Sequence, residues 1–153
     1  SDIGWRVVPS LGTPADRARL IKGLKQRVIT AVSVNAIALD ASEVQQPIDK
    51  RLPGLSGHHL VLPLLWNELI VKSGWKVEEL WEVLSFGASK MLSSPQESLK
   101  IGSNRWLIFD PDEKWVQTIK RQESQVVANQ PLEGKEILGK VIKCGISGQA
   151  YQS

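Results

Sequence analysis

Apolar positions recur along this chain in distinct rhythms, and each rhythm predicts an element. Residues 3–8 read as a short strand ended by Pro9. Thr13 then offers an N-cap oxygen, Pro14 suits the first helical position, and Asp16 favours the positive end of the helix dipole. Ala18, Leu20, Ile21 and Leu24 follow at helical spacing, which predicts about three turns. Residues 28–34 are apolar on both faces and β-branched at Val28, Ile29, Thr30, Val32 and Val34, the pattern of a parallel strand buried on both sides. A long polar loop over 40–56 carries Pro47, Pro53 and Gly54.

Helical spacing returns over 57–72, nearly apolar all round at Leu60, Val61, Leu62, Leu64, Leu65, Leu69 and Ile70. Pro63 lies early enough in that run to be tolerated. Ser73-Gly74 breaks it, and 77–84 forms a second helix with Leu80, Trp81 and Leu84 on one face. A shorter helical turn follows from Gly87 to Leu92, and Pro95 marks a boundary. Beyond it the character is β: 106–109 is a strand, Asp110-Pro111-Asp112 a turn, and 115–119 a further strand. Residues 120–130 read as a polar loop, 137–146 as strand broken by Gly139 and Gly145, and Ser147-Gly148 as a turn.

The chain is of α/β class, and its strand–helix–strand–helix first half suits a piece of a β/α barrel. It supplies about two of the eight strands such a barrel needs. A barrel cannot close on so few, and open edges would expose unpaired backbone. With its start at Ser1-Asp2, the chain is expected to be a fragment or one part of a larger assembly.

Composition narrows the classes. In 153 residues, a hydrophobic share of 42% with mixed charge fits a globular domain with a sizeable core, and no apolar run of 18 residues exists to cross a membrane. A net charge of +3 directs attention to Arg17, Arg19, Lys22, Lys25 and Arg27 on one helical segment. No stacking aromatics interleave with them, so a solvated helix face is expected and no nucleic acid partner. The single cysteine, Cys144, excludes an intrachain disulfide and a thiolate zinc cluster. Nothing at the start resembles a signal segment, so the cytoplasm is the expected location.

Several motifs stand in a specific order: Pro9 and Leu11, then 13–23 (T-P-A-D-R-A-R-L-I-K-G), then a run from Val34 to Leu39, then Pro47, Asp49, Pro53, Gly54, Ser56 and Gly57. Leu107-Ile108-Phe109-Asp110-Pro111 and Pro131-Leu132-Glu133-Gly134 with Gly139-Lys140-Val141 close the series. Together they resemble the C-terminal portion of dihydroorotases, the cyclic amidohydrolases of pyrimidine biosynthesis. The resemblance implies the end of a (β/α)8 amidohydrolase barrel over 1–95. Over 96–153 it implies a β-rich segment of the small flanking sandwich domain.

The same resemblance implies where chemistry should sit. The family's last barrel strand ends in T-D-H-A-P-H, and its aspartate touches metal and shuttles the proton; here Asn35 holds that position. The neighbouring histidine positions are Ala36 and Leu39, and a substrate-binding asparagine after the previous strand is Val8. Asp40 is a candidate only through a slipped register, which still leaves Ala41 where a histidine belongs; the plainer expectation is a solvated loop carboxylate or a cap in that loop. Pro53 and Gly54 retain the loop that can offer backbone groups to a ring substrate. His58 and His59 are the only histidines, and adjacent helical residues diverge by about 100°, which suits capping or packing better than one shared metal. Trp66, Trp75 and Trp81 pack against the flanking β-rich part or serve as exposed contact anchors.

The chain is therefore expected to be non-catalytic, a structural or regulatory part of a larger assembly. Its expected partners are the upstream half of the same protein or another copy; noncatalytic family members also point to aspartate carbamoyltransferase. The alternative is part of an active zinc-dependent dihydroorotase whose metal ligands lie upstream. No cofactor is expected for this chain, whereas zinc is expected in an active full-length member.

Overall fold

A computed structural model describes residues 6–95, 100–103, 105–118, 127–146 and 149–152. Helix α1 (Pro14–Lys25) begins as its sequence dictates. The Thr13 hydroxyl accepts from the Asp16 N–H at 3.2 Å, and the Asp16 carboxylate accepts from the Thr13 N–H at 2.9 Å, a reciprocal cap behind Pro14. It ends at Arg27, whose φ of 57° turns the chain back so that the Val28 and Ile29 N–H groups both donate to the Gly23 carbonyl.

Residues 28–34, expected as a strand, form no ladder among the described residues. Their Val32 N–H instead donates to the Val83 carbonyl at 2.9 Å. A strand is defined by its neighbours, and the 6–8 run carries no ladder either; residues 3–5 of that expected strand lie outside the described residues. The polar 40–56 loop holds an unforeseen one-turn helix, α2 (Ala41–Val44), which buries Val44.

The two long helices come where the periodicity placed them. The first is continuous over 58–71: a 3-10 turn (His58–Leu60), an α-helix (Val61–Leu65) and a π segment (Trp66–Val71). Gly74, at φ 66°, closes it, with its N–H donating to the Ile70 carbonyl. The second joins Val77–Trp81, a π segment (Glu82–Phe86) and Gly87–Met91, so the expected break before Gly87 is absent. The core lies between them: Leu69, Trp75, Leu80 and Val83 are buried, with Ile21 and Leu24 of α1 and Val32 packed against them.

The C-terminal part is one antiparallel sheet in the order β1-β2-β3, from β1 (Arg105–Val116), β2 (Glu136–Ile146) and β3 (Gln149–Gln152). Asp110-Pro111-Asp112, expected to separate two strands, is an irregularity within β1. The Asp110 carboxylate accepts from the Asp112 and Glu113 N–H groups at 2.9 and 3.2 Å, and pairing resumes at Lys114 opposite Leu138. The end of the expected 115–119 strand and the Ser147-Gly148 turn lie outside the described residues. Gly139 and Gly145 do not break β2; they make room for aromatic rings. A Cβ on Gly139, at φ 91°, would stand 2.7 Å from the Phe109 ring.

The sheet is fastened to the 58–71 helix through aromatics. Trp66 meets Phe109 at 5.1 Å between ring centroids, and His59 meets Trp115 at 6.1 Å. Trp75 is buried in the core and Trp66 packs against that core and Phe109, so these two pack inward, and Trp81 is half-buried.

Candidate functional site

The chain leaves the 28–34 run at Asn35, whose side chain is exposed. Its amide has no basicity useful near neutral pH and cannot take the proton a carboxylate would take. Beyond it the backbone is held tightly. The Ile37 N–H donates to the Leu55 carbonyl at 2.9 Å, and the Ile37 carbonyl accepts from Asn129 Nδ2 at 2.8 Å. The Leu39 N–H donates to Asn129 Oδ1 at 2.9 Å, and the Leu39 carbonyl accepts from the Ala128 N–H at 2.8 Å.

The same asparagine reaches the Pro53-Gly54 loop. Its Nδ2 also donates to the Gly54 carbonyl at 3.1 Å, and its own carbonyl accepts from the Ser56 N–H and hydroxyl, each at 3.2 Å. The Gly54 N–H donates to the Arg6 carbonyl at 2.8 Å, so both backbone polar groups of Gly54 are engaged inside the protein. A side chain at Gly54 would also put its Cβ 2.7 Å from Ile37 Cβ. Arg6 secures the loop from its other side: one guanidinium nitrogen, Nη1, donates to the carbonyls of Ile48, Asp49 and Arg51 at 3.3, 3.0 and 2.7 Å. Asn129, 1% exposed, and Arg6 are the residues that sequence reasoning missed here. Nothing in its own stretch of sequence singles out Asn129, because its partners Gly54, Leu39 and Ile37 are distant along the chain.

Asp40 is the N-cap of α2. Its Oδ1 accepts from the Ser42 hydroxyl at 2.7 Å and the Glu43 N–H at 2.9 Å, while Glu43 returns a bond to the Asp40 N–H at 2.9 Å. The Ser42 bond first, then the Glu43 amide, hold its pKa below the ordinary carboxylate value. A carboxylate held ionised by local donors is a weak base for moving protons at neutral pH.

His58 and His59 start the 58–71 helix, and both are exposed. His59 Nε2 lies 2.9 Å from Gln117 Oε1, and the buried Gln117 in turn donates to Gln130 Oε1. That histidine ties the helix start to the end of β1. Cys144 is half-buried in β2 opposite Leu107.

These donors do not suit zinc. Among the described residues no three His, Cys, Asp or Glu side chains lie close enough to share an ion, Asn35 carries an amide and no carboxylate, and Asp40 and His59 are engaged elsewhere. A zinc centre needs three or four such ligands, so no step through a metal follows from the described residues. The basic segment of α1 is partly neutralised: Arg17 pairs with Glu68, Arg19 with Asp16 and Lys25 with Glu79. Among the described residues no helix is long and apolar enough to cross a membrane.

No family model matches the chain. A probable dihydroorotase-like protein of Synechocystis is 36% identical over 142 residues, covering 92% of this chain and 31% of that protein. The dihydroorotase of Ehrlichia chaffeensis is 27% identical over the same shares of each. The chain thus spans about a third of the length of these relatives. Among solved structures, L-hydantoinase (dihydropyrimidinase) from Arthrobacter aurescens superimposes with a TM-score of 0.78 at 21% identity, over 99% of this chain and 35% of that one. D-hydantoinase (dihydropyrimidinase) from a Thermus species gives 0.76 at 18% identity, over 97% and 33%. At such identities the likeness is one of fold: this chain has the α/β fold of part of an amidohydrolase barrel with its flanking β-domain.

Proposed function

This chain belongs to the dihydroorotase family of cyclic amidohydrolases, and on that premise we propose that it is the non-catalytic, structural part of a larger assembly. One observation carries this reading above the others. The carboxylate nearest the degenerate position, Asp40, caps α2 instead of standing free to serve as a base. Asn35 supplies only an amide where the family's aspartate would act.

The residues around the degenerate position have structural work. Asn129 and Arg6 fix the backbone of 37–39 and 48–54, and His59 anchors the helix that follows. Such a mouth is suited to holding its shape within an assembly. The proposed partners are the rest of the same polypeptide and, through the family, aspartate carbamoyltransferase.

The test is hydrolysis of dihydroorotate and bound zinc, both measured on the complete protein purified from its own source. We expect turnover at the protein-free rate, zinc well below one per chain, and no change in either on Asn35→Ala. Near-stoichiometric zinc with turnover that falls steeply in Asn35→Ala would establish the active-enzyme alternative. A positioned general base typically contributes on the order of 10²–10⁴-fold, so turnover supported by one would stand clear of the protein-free rate. Co-elution of the complete protein with aspartate carbamoyltransferase on size exclusion tests the partner.

A further inference from the structure

At the end of the 28–34 run remote from Asn35, a cleft of about 370 Å³ opens between the C-terminus of α1 and the 77–91 helix. Leu24, Ile29, Val83 and Met91 give it apolar walls, and the buried Trp75 lies at its base. Lys25 and Glu79 occupy one side and satisfy each other: Lys25 Nζ is 2.7 Å from both Glu79 oxygens and 5.2 Å from the Trp75 ring centre. The other charged groups on the lining, Arg27, Lys90 and Glu82, form no ion pair with any described residue. That leaves one cation in excess beside an apolar surface. At the rim Val28 is 78% exposed and Met91 64% exposed.

Three observations together say what would cover this surface. The run beside the cleft is apolar on both faces yet pairs with no strand among the described residues, whereas a parallel strand of that composition is buried on both sides. The relatives are about three times as long as this chain. The uncompensated charge is positive, so the occupant should bring a carboxylate. We propose that the cleft is the seat of a segment of the same polypeptide lying outside these 153 residues, an apolar stretch that places an Asp or Glu side chain against Arg27 and Lys90. This seat does not depend on whether the complete protein turns over a substrate, so its failure and that of the non-catalytic reading are read separately.

The experiment is zero-length carbodiimide cross-linking of the complete protein, followed by denaturing electrophoresis and peptide mass spectrometry of the single-chain band. The expected product joins Lys90 to an acidic residue outside the 153, within one polypeptide, and disappears in Lys90→Arg, which keeps the charge but cannot form the amide. Alongside it, Arg27→Glu should lower the melting temperature of the complete protein by several degrees, while Lys22→Glu on the same helix leaves it unchanged. Three results would overturn the proposal: Lys90 joined only to Glu82, Lys90 joined only to a second copy, or an Arg27→Glu variant as stable as the Lys22→Glu control. Protection of Lys90 by added AMP would overturn it too, because the cleft would then be open to a small anion.

Discussion

The side chain of Asn129 bonds to the backbone of Leu39 across ninety positions of sequence: its Oδ1 accepts the Leu39 N–H at 2.9 Å. Its Nδ2 simultaneously donates to the carbonyls of Ile37 and Gly54. One buried amide therefore satisfies three backbone groups on two separate segments. Asn129 lies between β1 and β2, so the placement of 37–39 and of Gly54 depends on a residue of the β-rich part.

Asn129→Ala would leave those three groups without their partner in a buried setting. Each orphaned group costs about 1–3 kcal/mol, and partial solvation should bring the total to roughly 3 kcal/mol. Asn129→Asp should be no better, because the carboxylate keeps the Leu39 acceptor but faces two carbonyls with no donor. Urea unfolding of the complete protein reads the loss, and hydrogen exchange should show the Leu39 amide losing protection first. An Asn129→Ala variant with unchanged stability would mean that water replaces the side chain at no cost.

Asp40 makes a prediction in pH. Its folded pKa lies below the ordinary value of 3.8, through the Ser42 hydroxyl and the Glu43 amide. It therefore contributes stability that is fully present above 3.8 and is lost as the pH falls through its lower folded value. Asp40→Asn removes that titration. The stability gap between the two proteins should be constant at neutral pH and close only in strong acid. A gap of the same size at every pH would assign the difference to packing instead of charge.

How much of this was legible in the sequence depends on how local the cause is. Thr13, Pro14 and Asp16 specify the start of α1 within four residues, and they place it correctly. Asp40 and Glu43 carry the same reciprocal pattern, but a helix of four residues is too short to show a periodicity, and α2 was missed. Asp110-Pro111-Asp112 has the composition of a turn. What keeps β1 in one piece is its pairing with β2, which resumes past the irregularity and is invisible from either side alone. Residues 28–34 show the converse: their pattern announces burial on both faces, and the partners that would supply it are not among the described strands. Asn129 lay beyond reach for another reason, since its three backbone partners are 75, 90 and 92 positions away.

Gly87 is fixed by a close approach. A Cβ there would overlap the Thr30 carbonyl oxygen and stand 2.8 Å from the Glu82 carbonyl. Both obstacles are backbone, so they cannot swing aside as a side chain would. Gly87→Ala should push the 77–91 helix off the 28–34 run and strain the Val32–Val83 bond, at a cost of about 1–3 kcal/mol typical of overpacking. Thermal unfolding of the complete protein measures it. Gly74→Ala is the instructive companion: nothing lies within 4 Å of its Cβ, and only its φ of 66° opposes the substitution, so its loss should be smaller. Equal losses at the two positions would show that helix and strand-like run are free to separate.

The contact of Trp66 with Phe109, at 5.1 Å and 55° between ring planes, joins the helical part to the sheet. Tilted aromatic pairs contribute about 0.5–1.5 kcal/mol beyond the area they bury. Replacing either ring alone also leaves a cavity, so single variants do not isolate the pair. A double-mutant cycle does: Trp66→Leu, Phe109→Leu and the double variant, compared by urea unfolding, should return a coupling in that range. Gly139 is part of the same arrangement, because the Phe109 ring lies where a side chain at 139 would be. Gly139→Ala should therefore displace Phe109 and lower the Trp66–Phe109 coupling when the cycle is repeated in that background. If the coupling is near zero in both backgrounds, the rings are neighbours without being partners, and the sheet is held to the helix by His59, Gln117 and Trp115 instead.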